Sequence, residues 1–143
     1  MFKCVKEIKS RNGILHFRRY RVVETPFFNV YLHRIFKSGE DIDVHGHPWW
    51  FFTWILWGGY CEKFVRNQKA APTYRLRMFP FIYFTGLKSF HKILATRRDK
   101  PVTTLVFTGP RHKMWRYLVP TPQGNLLLTN EEYRERKHNG KSE

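Results

Sequence analysis

At 143 residues, 42% hydrophobic and 17% aromatic, the chain has the size of one domain and enough apolar matter to fill a core, which excludes a disordered protein. Lys and Arg total 26 against 11 Asp and Glu, a net charge of +15, so anionic partners are favoured: a small anionic ligand, a nucleotide or nucleic acid. Two cysteines, Cys4 and Cys61, without CxxC or other ligand spacing, give no disulfide framework and make a reducing, cytoplasmic setting the default.

The N-terminal stretch MFKCVKEIKSRNG is charged throughout and carries no leader pattern. The first strand read from the sequence covers residues 27–36 (FFNVYLHRIF), and a polar loop follows over 37–43. The run PWWFFTWILWGGY over 48–60 is 13 residues long. A membrane helix needs about 20, so no membrane span is expected, and the aromatics and closing glycines suit a buried strand and turn. Residues 53–57 and 60–65 flank Gly58-Gly59, a two-residue hairpin signal. Further strands are expected at 74–79, 82–85, 91–95, 102–108 and 115–119. Strands at this spacing, with scarcely any helical periodicity, indicate an all-β sandwich or barrel whose aromatic rings pack between the sheets. Near the C-terminus, Thr129 followed by Glu132 is a capping-box pattern opening a short polar helix to about Lys137, before a tail over 138–143. The chain reads as one domain over 1–143, with its core at 27–119 and the helix and tail at 129–143.

His45 and His47 are two residues apart. On a strand, positions i and i+2 share a face, so both imidazoles can reach one ion from the same side. Neutral imidazole suits Fe, Zn, Ni, Cu or Mn, and the ligands alone do not choose among them.

Over residues 27–117 the sequence resembles the cupin superfamily. The first cupin motif, G(x)5HxH(x)3-4E(x)6G, is matched by Gly39, His45, His47 and either Gly58 or Gly59, while Phe51 and Phe52 stand where its glutamate belongs. The segments FFNVYLHRI, HGHPWWFFTWILWGGYCE and LVFTGPRHKMW, with a lone histidine between the last two, are similar to short cupin-like proteins of bacteria and phages. The resemblance implies a double-stranded β-helix, a jelly-roll barrel holding one divalent metal ion, iron first and Zn, Ni or Mn as alternatives. The second cupin motif supplies one further histidine; its Pro-Gly pair is not kept, because Pro80 precedes Phe81, and His91 is the histidine at a suitable place. Without the glutamate the implied site is His45, His47 and His91, similar to that of the thiol dioxygenases.

Other side chains carry open readings. Glu62, three residues after Gly59 and beyond the glycine turn, reads either as a replacement ligand for the missing glutamate or as structural, paired with a nearby Arg or Lys, and is a candidate support behind a ligand. His33, with Tyr31 on its face, either orients a ligand or packs in the core, and Tyr31 and Tyr60 are the candidate acid–base groups. Arg75 and Arg77 alternate on one strand face, where they either clamp a carboxylate or phosphate inside the barrel or form a solvated edge. Arg111, after the Gly109-Pro110 turn, is expected at the barrel mouth as an anion contact. Two functions follow: an iron-dependent oxygenase or dioxygenase acting on a small anionic substrate, or a non-catalytic basic cupin that binds nucleotides or nucleic acid. A phage structural or host-interaction protein is a third.

Overall fold

A computed structural model describes residues 2–10, 12–37 and 43–140, so Gly39 of the motif lies outside the described residues. Among the described residues, twelve strands form two antiparallel six-stranded sheets, followed by one α-helix. In chain order the strands are β1 (Lys3–Lys9), β2 (Leu15–Glu24), β3 (Asn29–Ile35), β4 (Val44–Gly46), β5 (Phe51–Trp57) and β6 (Gly59–Val65). They continue with β7 (Thr73–Met78), β8 (Ile82–Thr85), β9 (Phe90–Thr96), β10 (Val102–Thr108), β11 (Arg116–Thr121) and β12 (Gly124–Thr129), and the helix is α1 (Asn130–Asn139). One sheet has the order β1-β2-β3-β10-β5-β8, the other β12-β11-β4-β9-β6-β7. The chain crosses between sheets repeatedly, which makes the jelly-roll barrel expected from the sequence.

Register explains what faces the interior. In the first sheet Lys6 lies opposite Arg19, Arg19 opposite His33, His33 opposite Thr104 and Thr104 opposite Ile55, one row running across five strands. In the second, Tyr117 lies opposite His45 and His45 opposite His91. Strand alternation puts Val44, Phe90 and Val65 on the face away from the histidines, where they cluster with Leu118 and Leu127. Ile35, Ile55, Tyr60 and Val102 form a second apolar cluster, packed by Phe17, Tyr83 and Ile93.

Three expectations are corrected. Gly58-Gly59 is not a hairpin turn: β5 pairs with β10 and β8, and β6 with β7 and β9, so the glycines carry the chain from one sheet to the other. Gly58 has φ +78°, the left-handed region, and a Cβ on Gly59 would fall 2.7 Å from the Arg77 carbonyl oxygen. The core also begins well before residue 27, because β1 and β2 complete the first sheet, and extends past 119 to β12. Nor do the aromatics mainly fill the interior. Along β5, Phe51, Thr53 and Ile55 point inward, while Phe52, Trp54 and Trp57 are exposed on the other face together with Phe84 and Phe107.

The helix begins as its capping box demands. The Thr129 hydroxyl accepts from the Glu132 amide and the Glu132 carboxylate accepts from the Thr129 amide. It runs to Asn139, two residues beyond Lys137, and Tyr133 stacks on Tyr117 with ring centroids 3.8 Å apart. Among the described residues no helix is long and apolar enough to cross a membrane.

Candidate metal centre

Val44, His45 and Gly46 form a strand only three residues long, paired with β9 on one side and β11 on the other. That pairing sets His45 directly against His91 across the sheet. His47 lies just past the strand end, where Pro48 ends the ladder, and its ring packs edge-on against His45 at 5.1 Å. One ring nitrogen from each of His45, His47 and His91 lies within 4.8 Å of the others. The three residues that the resemblance nominated are therefore brought together, although 44 positions separate His47 from His91.

Hydrogen bonds set which nitrogens meet. The Nδ1 of His45 lies 3.2 Å from the Asp43 carbonyl oxygen, and the Nδ1 of His91 lies 2.6 Å from Glu62 Oε1. Both acceptors take a proton at Nδ1, which turns each Nε2 toward the cluster. The Nε2 atoms of His47 and His91 face each other at 2.6 Å. Burial and the neighbouring His91 pull the His45 imidazole down to about 3, and burial pulls His47 well below its ordinary value. Near neutral pH these two rings are neutral, the form that can donate a lone pair to a cation. Three histidines with convergent ring nitrogens suit a divalent transition metal.

Glu62 stands behind this cluster. It is 2% exposed and holds His91 through one oxygen and the Arg77 Nε, at 2.8 Å, through the other. Burial opposes its charge, but the bonds to His91 and Arg77 prevail, and its carboxyl is held below the usual range. Glu62 therefore bridges a basic residue and the His91 ring, and it is not among the three residues whose ligand atoms converge. The same bond corrects the clamp reading of Arg77: its guanidinium is buried, committed to Glu62 and laid over the Tyr83 ring at 4.2 Å. Arg75, on the outermost strand of this sheet, is exposed and sits over Phe64, and Arg111 is exposed beside Met114 Sδ. None of these three arginines lines the cavity in front of the histidines.

That cavity has a volume of about 210 Å³. His33, Tyr31 and Tyr60 line it from their respective strands. His33 accepts from the Arg19 Nε at 3.0 Å and makes no hydrogen bond to the three clustered histidines. Tyr60 is buried, which pushes its phenol up and keeps it protonated. Trp115, not singled out in the sequence, packs its ring on His47 at 4.6 Å and His45 at 5.9 Å. Lys6 and Arg19, from the two strands that the sequence did not reveal, also line the cavity. The only signal for them was the alternation of Lys6 with Ile8 and of Phe17 with Arg19.

No family model matches the sequence, and no curated protein matches it. Solved structures do. The Fe(II) form of HppE superposes with a TM-score of 0.58 at 16% identity, over 72% of this chain and 55% of that one. Hydroxypropylphosphonic acid epoxidase from S. wedmorenis gives a TM-score of 0.55 at 16% identity, over 72% of this chain and 54% of its own. A Ralstonia eutropha protein carrying a mannose-6-phosphate isomerase name gives 0.54 at 11% identity, over 66% of this chain and 84% of that one. The chain spans about 55% of the length of the HppE chain it matches. At these identities the likeness is one of fold alone, a double-stranded β-helix of the cupin kind.

Proposed function

We propose that the protein is a metal-dependent oxidoreductase of the cupin type, an oxygenase in which His45, His47 and His91 hold one divalent ion, iron first, in front of a cavity for a small organic anion. The observation that carries this reading is the convergence of the three ring nitrogens, with the other nitrogen of two of the rings tied to Asp43 and Glu62. The fold shared with Fe(II) HppE supports iron among the metals that imidazole accepts. When bound through three protein ligands, such an ion supplies open coordination positions and Lewis acidity. The chain itself supplies the rest. Asp43 and Glu62 orient the rings, Trp115 and Phe51 pack against His47, and the buried Tyr60 keeps a phenolic proton at the cavity wall.

The test is to load the protein with Fe(II) without air, add nitric oxide, and record the electron paramagnetic resonance spectrum. An Fe(II) centre with an open position gives the high-spin signal of its nitrosyl, and His47→Ala loses it while His112→Ala keeps it. A signal of equal size in His47→Ala, or none in the iron-loaded wild type, contradicts the reading.

A further inference from the structure

The anionic part of the proposed substrate has an identifiable place. Lys6 and Arg19 are directly opposite each other on β1 and β2, on the barrel face that lines the cavity. Like charges directly opposite across a strand pair repel. Yet neither forms an ion pair with any described carboxylate, and no described Asp or Glu lines the cavity. Burial and the Arg19 charge both lower the Lys6 ammonium, with Arg134 of α1 adding a third positive charge. Lys6 is exposed at the rim of the cavity and Arg19 half-buried behind it, so two like charges converge on the cavity mouth without a countercharge among the described residues, an arrangement that an anion would complete.

The neighbours of this pair give the ligand its setting. Arg19 spends its Nε on His33, and its guanidinium lies 4.9 Å from the centre of the Tyr31 ring. Lys6 Nζ sits 5.7 Å from the centre of the Trp115 ring, the ring that packs on His47 and His45 on its other contacts. Lys6 is therefore one aromatic ring away from His45 and His47, and Arg19 lies directly opposite it on the neighbouring strand. Along the same row, the hydroxyl of Thr104 is buried, lines the cavity and has no protein partner, and the same holds for the hydroxyl of Thr108 four residues on.

We infer that Lys6 and Arg19 form the anchoring subsite for the acid group of a small organic anion, a carboxylate or a phosphoryl-type group, holding its remaining atoms against Trp115 and toward the three histidines. The inference rests on the reading of the cavity as a substrate site, and it explains why the strands β1 and β2 carry cations on their inward face. Lysine serves as a point charge at the cavity mouth and arginine as the directional donor deeper in. The unpartnered Thr104 hydroxyl is placed to hydrogen-bond an oxygen of the same ligand.

Metal-free protein allows this to be tested apart from the metal centre. Isothermal titration with inorganic phosphate and with acetate, in wild type, Lys6→Met, Arg19→Lys and Arg75→Met, reads the subsite directly. The expected result is saturable binding of at least one probe, weakened tenfold or more by Lys6→Met and clearly weakened by Arg19→Lys, with Arg75→Met, outside the cavity, close to wild type. Lys6→Met is also expected to melt no lower than wild type, because it relieves the repulsion with Arg19. Binding unchanged in Lys6→Met, or no binding of either probe to the wild type, overturns the subsite. If the subsite holds but no variant or wild-type sample loads metal, the oxygenase reading fails and this one stands.

Discussion

Glu62 does for His91 what the Asp43 carbonyl does for His45: each accepts at Nδ1 and so fixes the ring with Nε2 toward its neighbours. A carboxylate behind a ligating imidazole raises its basicity and locks its rotation, and such partners are typically worth about 10–100-fold in metal affinity. Glu62→Gln keeps the size of the side chain and removes the charge. It is expected to lower affinity for a divalent metal by roughly that factor, measured by competition with a chelator. Unchanged affinity would mean that His91 does not depend on Glu62. At this scale the sequence was partly legible. The HxH pair announced itself, and a pairing of Glu62 with a basic residue was foreseeable. That the basic residue is Arg77, one of the two arginines expected as an anion clamp, is not written in the sequence: the register sets Arg75 opposite Glu62, and the bond runs diagonally to Arg77. Arg111 looked favourable on turn position alone, and the fold leaves it exposed beside Met114.

Elements were legible where their pattern was local. The capping box at Thr129 and Glu132 is complete within four residues, and the helix starts where it says. The strands β3, β5, β6 and β10 are rich in β-branched and aromatic residues and were read close to their observed bounds. By contrast, β1 (KCVKEIK) and β2 (LHFRRYRVVE) are dense in charge, and their strand character comes from pairing with β3 rather than from composition. This concealed Lys6 and Arg19, whose inward direction is set by the sheet. Connections were also hard to read, because a glycine pair that turns a hairpin and one that switches sheets have the same local chemistry. One such connection gives a sharp expectation. Gly109, at the end of β10, hydrogen-bonds the Trp50 carbonyl, and a Cβ there would fall 2.3 Å from the Trp50 indole. Gly109→Ala should therefore cost about 1–3 kcal/mol through overpacking, measured by denaturant unfolding. A wild-type midpoint would show that the indole can move aside freely.

For the whole molecule, net charge said that anions matter but not where. Most of the 26 basic residues decorate the outside, and a dispersed surface field of this kind serves solubility as readily as recognition. A few of them, Lys6 and Arg19 above all, face the cavity instead. The jelly roll explains the combination. One sheet carries the histidines in a row from Tyr117 to His91, the other carries the cations in a row from Lys6 to His33, and both rows line the same cavity. Ligands from a strand face contribute little to the apolar clusters, so their removal leaves the barrel folded. The most direct test of this account is metal analysis by mass spectrometry of the purified protein after loading and desalting, beside His47→Ala, with folding checked by circular dichroism. The account predicts about one divalent ion per chain in the wild type and a near-complete loss in a folded His47→Ala. A wild type that retains no metal, or a His47→Ala protein that retains as much, would contradict it.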